Sequence, residues 1–161
     1  MRRILVILLQ ACWLAAVAAP APGSPSAERQ DVLAALRPPV ERLAGQPVKF
    51  RVDRLNIDAQ WAVLHGELVR PDGGEPDWSL AQEDTNCHMD LDKGVFAVAH
   101  KVDDRWTSEY IDICESEPAY WDVPHLEKIG FPCDLLRGFD AGSEQTPLEE
   151  CKALRRARNK C

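Results

Sequence analysis

Residues 94–113, GVFAVAHKVDDRWTSEYIDI, decide the fold that we expect for this chain. The apolar run 95–99 predicts a strand from Gly94 to Val102 that is covered on both faces. Asp103-Asp104 predicts a turn, and the β-favouring residues between Trp106 and Cys114 predict a returning strand. The stretch therefore predicts an antiparallel hairpin.

A second hairpin is predicted upstream of the first. Val48, Phe50 and Val52 alternate with charged residues, which is typical of a half-buried strand. The segment 56–60 has the composition of a turn, and the partner strand is predicted from Trp61 to Val69. The next turn is predicted at residues 71–74, Pro-Asp-Gly-Gly, because proline and glycine suit the backbone angles of turns.

Before both hairpins, apolar residues recur at the spacing of a helix. They are Val32, Leu33, Leu36, Val40 and Leu43. Ser24-Pro25 or Ser26 suits the start of this helix, and Gly45 suits its end. Pro38-Pro39 removes backbone donors and clashes with the preceding turn. A kink or two short helices are therefore expected.

Further helices are predicted after the sheet. The ranges 122–130 and 132–137 each predict a short helix, with proline near the start and glycine at or just after the end. Thr146-Pro147-Leu148-Glu149 has the pattern of a capping box and predicts the start of a last helix.

This order of elements predicts an α+β fold. An N-terminal helix packs on a four-stranded antiparallel sheet of two hairpins, and short helices and a C-terminal helix follow. On topology alone, the order also fits a cystatin-like or nuclear-transport-factor-like roll.

The first residues have the layout of a secretory signal peptide. Arg2 and Arg3 precede an apolar run from Ile4 to Val17, and Ala16-Val17-Ala18 is a small-x-small cleavage site. The run is shorter than the roughly 20 apolar residues of a spanning helix. An uncleaved anchor and a lipoprotein acylated at Cys12 are the alternatives. The sequence therefore predicts a periplasmic or secreted protein with no transmembrane span after cleavage.

The chain divides by composition into five segments. They are a signal peptide at 1–18, a disordered linker at 19–26, an α+β domain at 27–137, a second linker at 138–146 and a basic C-terminal helix at 147–161. Cleavage would remove two of the 19 basic residues and leave 17 against 26 acidic residues, a net charge of −9. An acidic body argues against nucleic acid as the main partner. The domain is long enough to bury a core without help, so no cofactor is expected.

An exported chain keeps its cysteines in an oxidising compartment. Five remain after cleavage: Cys87, Cys114, Cys133, Cys151 and Cys161. None forms a C-x-x-C pair, which argues against zinc, and two disulfides with one free thiol are the simplest expectation. Sequence alone leaves 15 such pairings open. Among them we favour Cys114 with Cys133, which would close a loop of about 19 residues and contribute on the order of 3 kcal/mol.

Two segments carry a resemblance to known proteins. LRPPVERLAGQPVKFRVDRLNIDAQWAVLHGELVRPDGG at 36–74 and VFAVAHKVDDRWTSEYIDI at 95–113 resemble a group of uncharacterised small exported proteins of Gram-negative bacteria. The resemblance spans about residues 29–113 and implies export and an α+β fold. It implies no activity, and it does not include Cys87, Cys151, Cys161 or the basic last helix.

One segment has the pattern of a metal site. In DTNCHMDLDKG, at 84–94, oxygen and nitrogen ligands occupy every second position: Asp84, Asn86, His88, Asp90 and Asp92. Calcium loops alternate their ligands in this way. However, Met89 and Phe96 stand where an EF-hand needs glycine and glutamate. A weak calcium site and a solvated loop both remain open, as does copper binding by residues 87–89.

Two features suggest binding surfaces. Trp78 lies in a polar loop, where an exposed tryptophan can anchor a partner. Arg155, Arg156 and Arg158 lie in the basic last helix and could contact anionic lipid, lipopolysaccharide or peptidoglycan phosphates. Alternatively, these arginines only complement the dipole of their own helix.

No signature of a nucleophile accompanies the four histidines. The function that we expect is therefore a non-catalytic exported domain that binds a protein or an envelope component. The alternative is a small periplasmic hydrolase or metal-binding protein that uses the loop 71–93.

Overall fold

The computed structural model of the chain describes residues 25–83, 85–89, 93–114, 123–139 and 146–159. Helix α1 comes first and is followed by four strands and two further helices. Their bounds are α1 Pro25–Ala44, β1 Lys49–Ile57, β2 Trp61–Val69, β3 Gly94–Val102, β4 Arg105–Ile113, α2 Val123–Lys128 and α3 Pro147–Arg158. Short 3-10 turns lie at Trp78–Leu80, Asn86–Met89 and Cys133–Leu136.

The four strands form one antiparallel sheet in the order β1-β2-β3-β4. The predicted α+β fold with two hairpins is therefore confirmed. Strand β1 continues to Ile57, two residues into the predicted turn at 56–60, and a bulge between Val52 and Arg54 shifts its pairing with β2. The bulge ends the simple alternation of apolar and charged residues. Because of that shift, the second half of the strand does not follow the alternating pattern from which the first half was predicted.

Helix α1 covers one face of the sheet. Val32, Leu36 and Val40 are fully buried there. The helix runs through Pro38 and Pro39 as one element, so the expectation of two short helices is wrong. Burial of Leu36 and Val40 on either side of the prolines stabilises the continuous helix against the loss of two backbone donors. Pro25 and Ser26, which the sequence placed in a linker, form its first turn.

The C-terminal segment covers the opposite face of the sheet. Val63, Phe96 and Val98 face a cluster that includes Phe131, Leu136 and Cys151. Residues 95–99 of β3 are consequently buried from both sides, as the apolar run predicted. Phe139, in the predicted linker 138–146, is also buried in this cluster.

Two disulfides lie on opposite sides of the sheet. Cys87 bonds to Cys114, and Cys133 bonds to Cys151. The predicted pairing of Cys114 with Cys133 is therefore wrong. Cys114 directly follows β4 and lies in the cluster under α1, whereas Cys133 lies in the cluster under the C-terminal helices. The sheet therefore separates Cys114 from Cys133, and Cys161 lies outside the described residues.

In the described part of the chain, no helix combines the length and the apolar character that crossing a membrane requires.

Candidate functional site

The basic face of α3 is the strongest candidate site. The helix starts as predicted: Thr146 accepts from the Glu149 backbone N–H, and the Glu149 side chain accepts from the Thr146 backbone N–H. This capping box stabilises the first turn. Cys151 and Leu154 face the core, and the next positions around the helix point outward.

An open pocket of about 350 Å³ lies between this outward face and the segment 132–134. Its lining comprises Pro132, Cys133, Asp134, Lys152, Arg155, Arg156 and Asn159. Lys152, Arg155 and Arg156 of α3 and the C-cap residue Asn159 are spaced at i, i+3, i+4 and i+7, so they lie along one face of the helix. The Cys133–Cys151 disulfide holds the two walls of the pocket together.

One side of the Arg155 guanidinium group contacts other parts of the folded chain. Its Nη2 donates to the carbonyl oxygen of Phe131 at 2.7 Å. Its Nε is buried 3.9 Å from Oε1 of Glu127, without hydrogen-bond geometry. Glu127 is only 8% exposed, and Arg158 Nη2 approaches the same oxygen at 2.9 Å. A buried carboxylate requires a nearby cation, so Arg155 and Arg158 join α3 to α2.

Lys152 is also paired, but at the surface. Its Nζ donates to Oδ1 of Asp134 at 2.8 Å, and Arg137 Nη2 lies 3.3 Å from the same oxygen. The hydrogen bond from Lys152, together with its charge, lowers the pKa of Asp134 below the ordinary value of 3.8. The carboxylate of Asp134 therefore neutralises part of the positive charge of Lys152 and Arg137 at this wall of the pocket.

Arg156 differs from its neighbours. It is exposed, and its side chain forms no ion pair or hydrogen bond with the residues that the structure describes. A planar guanidinium group can bind a carboxylate or phosphate through two parallel hydrogen bonds. Arg156 therefore provides the uncommitted cation of the pocket, beside Lys152 and Arg155.

The binding residues that the sequence suggested do not form one site. Arg155 and Arg156 line the pocket, whereas Arg158 pairs with Glu127. Trp78 lies across the sheet, partly buried against the cluster under α1, so only part of its ring is exposed.

The predicted metal segment is only partly described. Asp84, Asp90 and Asp92 lie outside the described residues, and Asn86 begins the turn Asn86–Met89. His88 is exposed, and its Nε2 lies 3.0 Å from the carbonyl oxygen of Ala81. A carbonyl only accepts, so Nε2 carries the proton and does not offer a lone pair to a metal. Among the described residues, no group of three or more histidine, cysteine or acidic residues is arranged to hold a metal ion. The calcium interpretation stays a prediction.

Sequence reasoning missed part of the pocket. Asp134 and Asn159 were not singled out, although the helical spacing of Lys152, Arg155, Arg156 and Asn159 could have grouped the α3 residues. No sequence signal distinguishes Glu127 from a solvated glutamate.

Comparison of the chain with protein-family models, with curated proteins and with solved structures found no match. A function must therefore be argued from the residues of the chain itself.

Proposed function

We propose that this protein is an exported, non-catalytic domain that binds an envelope component through the basic pocket on α3. The ligand group is a phosphate or carboxylate. The predicted secretory leader and the resemblance to exported proteins of Gram-negative bacteria support export. Two disulfides support it, because such bonds persist in oxidising compartments such as the periplasm.

One observation supports the choice of this pocket as the binding site. Arg156 is an exposed, uncommitted arginine in a pocket whose other cations, Lys152 and Arg155, are held in place by Asp134, Phe131 and Glu127. The fixed neighbours raise the local positive potential without losing side-chain freedom on binding. The chain as a whole has a net charge of −7, so this face is the local exception on an acidic protein.

Reversal of one charge tests the proposal. Purified, oxidised protein is mixed with isolated cell envelopes, and with separate lipopolysaccharide, peptidoglycan and anionic phospholipid fractions, and bound protein is measured by sedimentation. Arg156→Glu should weaken binding about tenfold, which corresponds to about 1.4 kcal/mol. Its stability to urea should change by less than about 0.5 kcal/mol, because the side chain is exposed.

Arg29→Glu is the matched control. Arg29 is exposed on α1, and its replacement by glutamate changes the net charge by the same amount as Arg156→Glu. Equal losses of binding for the two variants would assign the effect to net charge and not to the pocket. Absence of wild-type binding to every fraction would contradict the proposed function.

A further inference from the structure

The first half of β1 is an open sheet edge. Among the strands that the structure describes, β1 lies at the end of the order and pairs with β2 alone. Its second half is covered, because Asn56 Nδ2 donates to the carbonyl oxygens of Leu135 at 2.7 Å and Arg137 at 3.0 Å. Within the described ranges, residues 49–52 have no backbone partner other than β2. Alternate N–H and C=O groups of this segment therefore point outward, available to another strand.

A groove of about 390 Å³ lies beside this open edge, between α1 and β1. Its apolar lining consists of Leu33, Val48, Phe50 and Pro71, and its polar lining consists of Arg37, Glu41 and Lys49. An extended segment pairing with β1 would place alternate side chains over this apolar lining, because side chains alternate across a strand.

The charged side chains of the groove differ in whether they already have a hydrogen-bond or ion-pair partner. Oε1 of Glu41 accepts from the Val48 backbone N–H at 3.3 Å, and Nζ of Lys49 donates to the carbonyl oxygen of Pro71 at 2.6 Å. Arg37 is exposed, and its side chain has no ion-pair or hydrogen-bond partner in the described structure. The uncommitted charge at the groove is therefore positive.

The charges of β1 argue against a second copy as the occupant. The strand carries Lys49, Arg51 and Arg54 against a single acid, Asp53, and of these cations Arg51 pairs with Glu67 of β2 at 2.6 Å. Antiparallel pairing of two β1 strands would bring these cations close together, and like charges opposite one another destabilise a sheet. An acidic segment instead complements them.

We propose that residues 49–52 of β1 and the adjoining groove bind an extended, acidic peptide segment of a partner protein by strand addition. Backbone hydrogen bonds to β1 supply affinity, as in other cases of strand addition. Apolar side chains of the peptide cover Leu33 and Phe50, and one of its carboxylates pairs with Arg37. This site is separate from the α3 pocket, and it does not depend on the function proposed for that pocket.

Defined peptides test the proposal. The probe is a fluorescein-labelled, N-acetylated and C-amidated peptide of four Val-Glu repeats, and its binding to the purified, oxidised protein is measured by fluorescence anisotropy. A Val-Lys peptide of equal length tests charge. A Val-Glu peptide with alternate N-methylated amides tests the backbone pairing. The titrations use protein that carries Arg156→Glu, which weakens carboxylate binding at the α3 pocket. In this protein only the unmodified Val-Glu peptide is expected to bind.

Three charge reversals locate the site. Arg37→Glu should weaken binding of the Val-Glu peptide at least tenfold, whereas Arg29→Glu and Arg105→Glu should change it less than twofold. Arg105 is exposed on β4, at the other end of the sheet from β1. Amide chemical shifts of the ¹⁵N-labelled protein should move at residues 49–52 on binding. No binding of the Val-Glu peptide, or equal binding of either control peptide, would overturn the proposal. An equal loss of peptide affinity in all three variants would also overturn it, as would chemical-shift changes confined to other strands. Concentration-dependent dimers in sedimentation that Arg37→Glu does not change would instead indicate self-pairing and would also overturn it.

Discussion

The side-chain amide of Gln46 binds both backbone groups of Asp77. Its Oε1 accepts from the Asp77 N–H at 3.0 Å, and its Nε2 donates to the Asp77 carbonyl oxygen at 2.7 Å. A backbone bond from Gln82 N–H to the Leu43 carbonyl oxygen lies nearby at 2.9 Å. Together these contacts fix the first part of the loop 71–93 to the end of α1. This part of the loop belongs to the folded body.

Removal of the Gln46 amide should destabilise the protein modestly. Gln46→Ala loses three hydrogen bonds at a partly buried position: the two to Asp77 and one from Nε2 to the Ala44 carbonyl oxygen at 3.2 Å. The two bonds to Asp77 contribute about 0.5–1.5 kcal/mol each. We expect a loss of about 1–2 kcal/mol in the free energy of unfolding, measured by urea denaturation. Gln60→Ala, at an exposed position in the β1–β2 turn, should stay within about 0.5 kcal/mol. An equal effect of both variants would contradict the role of Gln46.

Gly45 should tolerate alanine far less well than Gly73 does. Both glycines have positive φ, +67° and +88°, where a side chain costs about 1–2 kcal/mol. A Cβ on Gly45 would also overlap the backbone carbonyl of Leu80, whereas a Cβ on Gly73 would meet nothing within 4 Å. Gly45→Ala should therefore cost about 2–4 kcal/mol and Gly73→Ala about 1 kcal/mol, measured by thermal or urea unfolding. Equal costs would show that the loop does not pack on Gly45 as described.

The disulfide pairing can be checked directly. Proteolysis under non-reducing conditions followed by mass spectrometry should yield Cys87–Cys114 and Cys133–Cys151 peptides, both of which disappear on reduction. The paired replacements Cys87→Ala with Cys114→Ala, and Cys133→Ala with Cys151→Ala, should each cost about 3–4 kcal/mol from the closed loops of 27 and 18 residues. A Cys114–Cys133 peptide would refute the pairing.

The Lys152–Asp134 pair should make stability depend on acid pH. Because the folded pKa of Asp134 is lowered, its contribution is present above the ordinary value of 3.8 and is lost as pH falls through the folded pKa. Lys152→Met should raise the pKa of Asp134 toward 3.8, as measured by carboxyl ¹³C titration. Lys128→Met, at an exposed position on α2, should leave that pKa unchanged. An unchanged titration in Lys152→Met would contradict the pair.

Calcium should have no effect on stability. The segment 84–94 lacks the glycine and the bidentate glutamate of an EF-hand, and His88 is bonded to Ala81. We expect the melting temperature to be the same with millimolar calcium and with a chelator. A rise that Asp90→Asn abolishes would support the calcium interpretation instead.

Local patterns were sufficient to predict most elements of the fold. Strands β2 and β3 have the predicted bounds, the capping box at Thr146 is present, and Gly45 follows α1 with positive φ. Each of these features depends on side-chain periodicity or on hydrogen bonds between residues that are close along the chain. The cations of α3 were recognisable for the same reason.

The tertiary structure alone decided which distant residues meet. The sequence contained the cysteines and the acidic Glu127, but only packing placed Cys114 with Cys87 and buried Glu127 under Arg155 and Arg158. Within the ranges that the structure describes, the tertiary fold also left Arg156 without an ion-pair partner and the first half of β1 without a second neighbouring strand. Periodicity indicates which side of a helix or strand faces the core. Which residues from distant segments become partners depends on how the two faces of the sheet are covered, and this is decided only when the whole chain folds.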